Sequence, residues 1–359
     1  MRRSIATVSL SGMLCEKLRA IAAAHFDGVE IFENDLLQFS GKPQEVRAIA
    51  ADLGLAIDMF QPFRDFDGST AAQLARSLTR IERKFDLMDA LGAELLLVCS
   101  SVQPGALGDT SALAEQFAQL AALAARRGKR IAYEALAWGS QVKLFAQAWA
   151  VVQQVSHPSL GLALDSFHTL ALRDDPAPIA QLPGERIFFV QLADAPWVNT
   201  DVLTHSRHYR CFPGQGELDV TGFLQAVLGS GYGGTISPEV FNDEFRSAPA
   251  RANAVDAMRS LLWLEEQVRC SPTLPVRPAV NTAVSPSPAA TPALRPSGSS
   301  CLTHLQGHTS AADPLLNLQS IRPPHGAWLC CSPAWALHAS VATGPNRWSC
   351  MARVRCASC

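Results

Sequence analysis

Short, continuous apolar runs recur along the first 270 residues, each followed by a segment whose apolar positions return every three or four residues. The runs suit strands buried on both faces of a parallel sheet, and the periodic segments suit helices that cover it. The pattern predicts strands over 4–10 (SIATVSL), 28–33 (GVEIFE), 56–63 (AIDMFQPF), 94–100 (ELLLVCS), 130–136 (RIAYEAL), 160–164 (LGLAL), 186–194 (RIFFVQLAD) and 234–241 (GTISPEVF). Helices are expected over 13–26, from Pro43 up to Gly54, and over 71–91, 111–127, 143–155, 220–228 and 254–268, with a short one at 177–182. Gly54 and Gly92 stand where helices should stop. The stretch 195–216 reads as a long loop, and Pro238 is tolerable only near the end of the eighth strand, since it gives the ladder no donor. Eight strand–helix units in about 265 residues match a (β/α)₈ TIM barrel. A doubly wound sheet would carry fewer strands and a glycine-rich phosphate turn, and neither a GxGxxG between a strand and the helix after it nor a Walker motif is present.

The pattern stops near residue 270. From Ser271 to Cys359 the chain has one acid, Asp313, and no Lys, Phe or Tyr, yet it holds 12 of the 23 prolines and 6 of the 10 cysteines. This 271–359 segment is expected to be an irregular, disordered tail without a recognisable fold. The joint loss of acids, Lys, Phe and Tyr resembles translation out of frame, which resequencing the coding DNA would test. Its cysteine spacing is too irregular for a metal site. The chain carries 30 Lys and Arg against 32 Asp and Glu; the tail holds six and one of these, leaving 24 against 31 in residues 1–270, a formal charge of −7. That balance argues against a nucleic-acid surface. Cys15, Cys99, Cys211 and Cys270 are widely spaced and suggest neither a disulfide framework nor a thiolate zinc site. No signal peptide or membrane-spanning run is apparent, so a cytoplasmic protein is expected.

A barrel builds its active site at the C-terminal ends of its strands. Near these ends stand Glu134 on strand five, Asp165 just after six, Gln191 on seven and Glu239 on eight. Any one of these could be a helix cap or a salt-bridge partner; Asp165 in particular could cap the helix that follows it. Four oxygen ligands at successive strand ends are a stronger joint signal. Three carboxylates converging without a cation would repel, and oxygen-only ligation favours a hard divalent ion such as Mg²⁺ or Mn²⁺, with Co²⁺ compatible. His168, three residues past Asp165, could reach a substrate as general base or hold a ligand from behind. Arg64, after strand three, and Arg210, in HYRCFPGQGELD (208–219), could clamp a carboxylate bidentately or lie on the surface. His205 and His208 share that loop and are weaker candidates.

YEALAW around Glu134, LDSFHTL, FVQLAD, PGQGELD and PEVFND resemble the xylose isomerase-like barrel superfamily. Within it, SIATVSLSG, FDGVEIFENDLL, FQPFRDF, ERKFDLM and RHYRCFPGQGE resemble the bacterial 3-dehydroshikimate dehydratases, from residue 1 to about residue 270. The resemblance implies a metal held by Glu134, Asp165, Gln191 and Glu239, His168 as base, and Arg64 and Arg210 on the substrate. The superfamily's sugar isomerases usually have His at the third ligand position, so Gln191 sides with the dehydratases. Longer members carry a second, dioxygenase-like domain where the tail begins here. The implied reaction is dehydration of 3-dehydroshikimate to protocatechuate through an enediolate, in quinate and shikimate catabolism. A ketose isomerase or epimerase of the same superfamily is the alternative. A small-molecule substrate is thus expected, with no nucleic-acid or membrane partner, and a homo-oligomer is compatible with the sequence.

Overall fold

In the computed structural model, which describes residues 1–106 and 108–270, the apolar runs form eight parallel strands. They are β1 (Arg2–Arg3), β2 (Gly28–Phe32), β3 (Ala56–Phe63), β4 (Leu95–Cys99), β5 (Arg130–Glu134), β6 (Leu160–Asp165), β7 (Ile187–Leu192) and β8 (Thr235–Pro238). Each pairs with its neighbour in the order β1-β8-β7-β6-β5-β4-β3-β2. A parallel bridge between Ala6 and Glu30 joins the two ends of this sheet into a barrel. Around it lie α1 (Leu14–Ala23), α2 (Glu33–Leu37), α3 (Pro43–Asp52), α4 (Ala71–Leu91), α5 (Thr110–Arg126), α6 (Phe145–Val155), α7 (Ser166–Leu170), α8 (Val202–His208), α9 (Val220–Gly229), α10 (Asp243–Ser247) and α11 (Ala250–Cys270). The readings of 271–359, as tail, frameshift product or site of a missing domain, fall outside the described residues.

Local chemistry sets the helix ends. α4 starts at Thr70, whose hydroxyl accepts from Gln73 N while Gln73 Oε1 accepts from Thr70 N at 2.8 Å, a reciprocal capping box. It ends at Gly92, whose φ of 75° suits the left-handed cap. Asp109, Asp201 and Asp219 cap α5, α8 and α9 through their carboxylates.

Alternation along the strands divides the core. Leu96, Val98, Ile131, Tyr133, Leu162, Leu164 and Val190 pack outward into the large cluster shared with the helices. The intervening residues Met59, Leu95, Leu97, Ala132, Ala163 and Phe189 form a separate cluster, which fills the barrel. One step further along the same inward face, two residues on, stand Gln61, Cys99, Glu134, Asp165 and Gln191, all buried. The apolar plug thus forms the floor on which the polar residues sit.

Several elements differ from the sequence pattern, among them the additional short helices α2, α7 and α10 and a 3₁₀ turn over Ala177–Gln181 in place of the short helix. The first strand covers Arg2–Arg3, with extended chain to Ala6 and a 3₁₀ turn over Thr7–Ser9. Side-chain hydroxyls take over the ladder there: Thr7 Oγ1 accepts from Phe32 N at 3.0 Å and Ser9 Oγ from Val240 N at 2.9 Å. The expected long loop 195–216 contains α8, which Asp201 caps by accepting from Thr204 N at 2.9 Å. Pro238 is the last residue of β8, where its missing donor matters least.

Candidate active site

Glu134 is the last residue of β5, Asp165 the last of β6, Gln191 the penultimate residue of β7, and Glu239 follows β8 directly. All four are buried. Asp165 and Gln191 are in register, and Glu239 N donates to Leu192 O at 3.1 Å. The two roles open to Asp165 are divided between its oxygens. Oδ1 accepts from Phe167 N at 2.7 Å and caps α7, while Oδ2 accepts from Arg210 Nη1 at 2.8 Å. Glu134 Oε2 accepts from the Cys99 thiol at 3.0 Å, and its Oε1 has no hydrogen-bond partner. Gln191 donates through Nε2 to Glu30 Oε2 at 2.8 Å, and its Oε1 is also unpartnered.

The electrostatics are those of an acid cluster short of cations. Burial raises Glu134, and the charges of Glu239 and Asp165 raise it further. Burial and then Glu239 push Glu30 well above the carboxylate range. Burial also raises Glu239, against the pull of Arg210. Glu134, Asp165 and His168 each offer a ligand atom, all within 4.8 Å of one another. Bare buried oxygens beside partly neutralised acids are what a hard divalent cation would satisfy, and the donor set fits such an ion. His168 adds a nitrogen that the sequence did not place in the ligand set.

The short helix α7 brings His168 to the cluster, edge-on to Trp138 with ring centroids 5.0 Å apart. Nε2 lies 3.7 Å from Glu134 Oε1 and 3.6 Å from Asp165 Oδ2. Burial pulls its pKa down to about 3, so the ring is neutral at neutral pH. Two long contacts ask for opposite tautomers. Nδ1 accepts from Ala137 N at 3.2 Å, which places the proton on Nε2, whereas Arg210 Nη2, 3.3 Å from Nε2, needs a lone pair there.

Arg210 is not a surface residue. It is fully buried, held from behind by Ser206 Oγ, which accepts from Nη2 at 2.9 Å, and stacked on Phe167 at 4.5 Å. Its Nη1 also reaches Glu239 Oε2 at 3.2 Å. The loop carrying it is pinned by Asp194, whose Oδ2 accepts from Gly214 N and Gly216 N at 3.0 Å each and whose Oδ1 accepts from Leu218 N at 2.9 Å. A side chain at position 216 would collide with Asp194 and Ala195, hence the glycine. Arg64 is exposed and lines the small cavity above the cluster with Trp138, His168 and Phe241. His205 lies apart, its Nε2 2.9 Å from Pro196 O, and His208 is exposed beside Asp243.

Sequence reasoning missed Arg207, Glu30 and Gln61. Arg207 lines the same cavity, stacked 5.5 Å over Trp138 and 4.6 Å over Phe241. Its i−3 spacing from Arg210 was visible, but its aromatic partners come from the distant segments that follow β5 and β8. An acid within the apolar run GVEIF was the only sign of Glu30.

Eight parallel strands closed on themselves, with Glu134, Asp165, Gln191 and Glu239 at successive C-terminal ends, define a barrel of the enzyme type with a cation-seeking mouth. The chain belongs to the xylose isomerase-like TIM barrel family, whose model matches residues 18–267. It is 58% identical over 292 residues to the 3-dehydroshikimate dehydratase of Pseudomonas putida, covering 80% of this chain and 46% of that protein. It is 63% identical over 269 residues to the 3-dehydroshikimate dehydratase of Pseudomonas aeruginosa, covering 75% and 42%. A solved xylose isomerase-like TIM barrel/4-hydroxyphenylpyruvate dioxygenase fusion protein superposes with a TM-score of 0.74 at 60% identity, over 75% of this chain and 43% of that one. The chain therefore spans less than half the length of these relatives, and the likeness carried by the motifs is borne out. Among the described residues the four cysteines are free, and no helix is long and apolar enough to cross a membrane.

Proposed function

We propose that this chain catalyses metal-dependent dehydration of 3-dehydroshikimate to protocatechuate, with the activity in residues 1–270. The observation that carries the reading is the 58% and 63% identity, across the barrel, to relatives bearing that name. Glu134, Asp165, Gln191 and Glu239 would hold the cation. A bound Mg²⁺, Mn²⁺ or Co²⁺ supplies charge that stabilises the enediolate-like charge growing on the substrate's ketone oxygen, and losing one such stabiliser typically costs about 10²–10³ in rate.

His168 acts as base at Nε2, taking the proton from the carbon between the ketone and the leaving group. The β-hydroxyl departs as water, and aromatisation draws the reaction forward. Burial keeps the ring neutral, the form that accepts a proton, and the Asp165 carboxylate 3.6 Å from Nε2 favours the ring once it has taken one. The role also requires the tautomer that accepts from Arg210 Nη2, with the long Ala137 contact given up. Arg64, which lines the cavity and makes no ion pair among the described residues, would meet the substrate carboxylate. Arg210 binds on the same side while holding Asp165 and Glu239 in place.

One spectrophotometric assay tests the reading: protocatechuate formation from 3-dehydroshikimate with Mg²⁺, Mn²⁺, Co²⁺ or a chelator. Metal-dependent product is expected. Turnover of ketoses with none of 3-dehydroshikimate would replace this reading by the isomerase one.

A further inference from the structure

Glu30 sits in the middle of β2, fully buried, on the inward face of the barrel. A single oxygen, Oε2, accepts from Gln61 Nε2 at 2.8 Å and from Gln191 Nε2 at 2.8 Å. Gln191 is 161 residues away, on β7. The two ends of a glutamine amide have nearly the same shape and opposite chemistry: the oxygen has lone pairs for a cation, and the NH₂ has only hydrogens. With Nε2 tied to Glu30, the end left over is Oε1, which has no partner. Turning the amide over would aim an NH₂ into the ligand set and press two oxygens together at hydrogen-bond distance.

We propose that Glu30 is a positioning residue for the metal centre: its carboxyl oxygen fixes the Gln191 amide so that Oε1, not Nε2, is presented to the cation. The proposal rests on the reading of Gln191 as a ligand. A carboxyl group suits the task because one of its oxygens can accept from two amides at once. Gln61, the other donor, lines the same cavity as Glu239, so one buried acid ties the floor of the site across the barrel. Glu30 also lies at the seam where the barrel closes, but there it acts through its main chain, with Glu30 N donating to Ile5 O at 3.0 Å. A change of side chain leaves that bond in place.

The test measures Mn²⁺ affinity by calorimetry and the Co²⁺ absorption spectrum on the full chain. Glu30→Met should weaken Mn²⁺ binding roughly 10–100-fold, the usual range for groups that orient metal ligands, and alter the Co²⁺ spectrum. Glu30→Gln, which keeps an acceptor oxygen, should recover most of the loss. Because Glu30 acts through Gln191, Glu30→Met added to Gln191→Ala should weaken binding no further than Gln191→Ala alone. Binding by Glu30→Met within about threefold of wild type, or losses that simply add, would overturn the proposal. Should Glu30→Met fail to fold, Glu30→Asp decides: it keeps the carboxyl group and withdraws the acceptor, and unchanged affinity would likewise overturn the role. Wild-type protein that binds neither Mn²⁺ nor Co²⁺ would remove the metal reading and this proposal together. The expected affinity pattern without turnover of 3-dehydroshikimate would count against the substrate and for the positioning role.

Discussion

Arg210 Nη1 donates to Asp165 Oδ2 at 2.8 Å, in a place where neither side chain touches solvent. The same nitrogen reaches Glu239, so one guanidinium bridges two of the four proposed ligands. Removing one partner of a buried ion pair typically costs about 3–5 kcal/mol, because the other charge is left uncompensated. Arg210→Met should therefore destabilise the metal-free protein by about that much. Mn²⁺ should then raise its melting temperature more than it raises that of the wild type. Thermal unfolding with and without Mn²⁺ checks this, and equal shifts for the two proteins would count against it.

Asp194 satisfies four backbone N–H groups: those of Ala195, Gly214, Gly216 and Leu218. A buried donor left unpaired costs roughly 1–3 kcal/mol, and part of that is recovered where water can enter. Asp194→Ala should lose roughly 2–4 kcal/mol in urea unfolding on that basis. It should also expose the 208–219 loop to proteolysis, which mass spectrometry of the first cleavage products would locate. A protease-resistant loop in that variant would show that other contacts hold it.

His168→Ala should lower kcat by about 10²–10⁴, the usual contribution of a positioned acid or base. Mn²⁺ affinity should change far less, because the four proposed oxygen ligands remain. Calorimetry beside the protocatechuate assay separates the two. Near-wild-type turnover would end the assignment of His168 as base.

Asp67 gives a pH dependence away from the proposed metal ligands. Burial raises its pKa to about 6 from an ordinary 3.8, despite hydrogen bonds from Ser101 N and the Tyr133 hydroxyl. Between about pH 4 and pH 6 the unfolded chain has given up this proton while the folded protein still holds it. Stability therefore falls as pH rises through that window, by up to roughly 3 kcal/mol at about 1.4 kcal/mol per unit. Asp67→Asn should remove that fall. Urea midpoints from pH 4 to 6.5 would show it as a shallower slope, and parallel curves would contradict it.

Much of the barrel was legible because its signals are local. An apolar run that stops on a carboxylate gives both a buried strand and its functional end, and Glu134, Asp165, Gln191 and Glu239 all stand at strand ends. The first strand was overextended because Thr7 and Ser9 replace ladder bonds with hydroxyls, which in sequence look like ordinary strand residues. Glu30 and Arg207 were missed for a different reason. What each does depends on partners far away in the chain, Gln191 for one and Trp138 with Phe241 for the other. Polarity in a strand or loop shows that a partner is needed, and only the fold supplies its identity.

The closure at Ala6 gives the start of the chain a chemical weight that its short strand does not suggest. Ala6 N donates to Pro238 O at 3.0 Å, beside Glu239, and Ile5 O accepts from Glu30 N at 3.0 Å. Residues 2–6 thus work as the last hoop of a cask, keeping the stave that carries Glu239 abreast of the stave that carries Glu30. Trimming them would spring the vessel open at its charged mouth while the staves on the far side, with Glu134 and Asp165, kept their places.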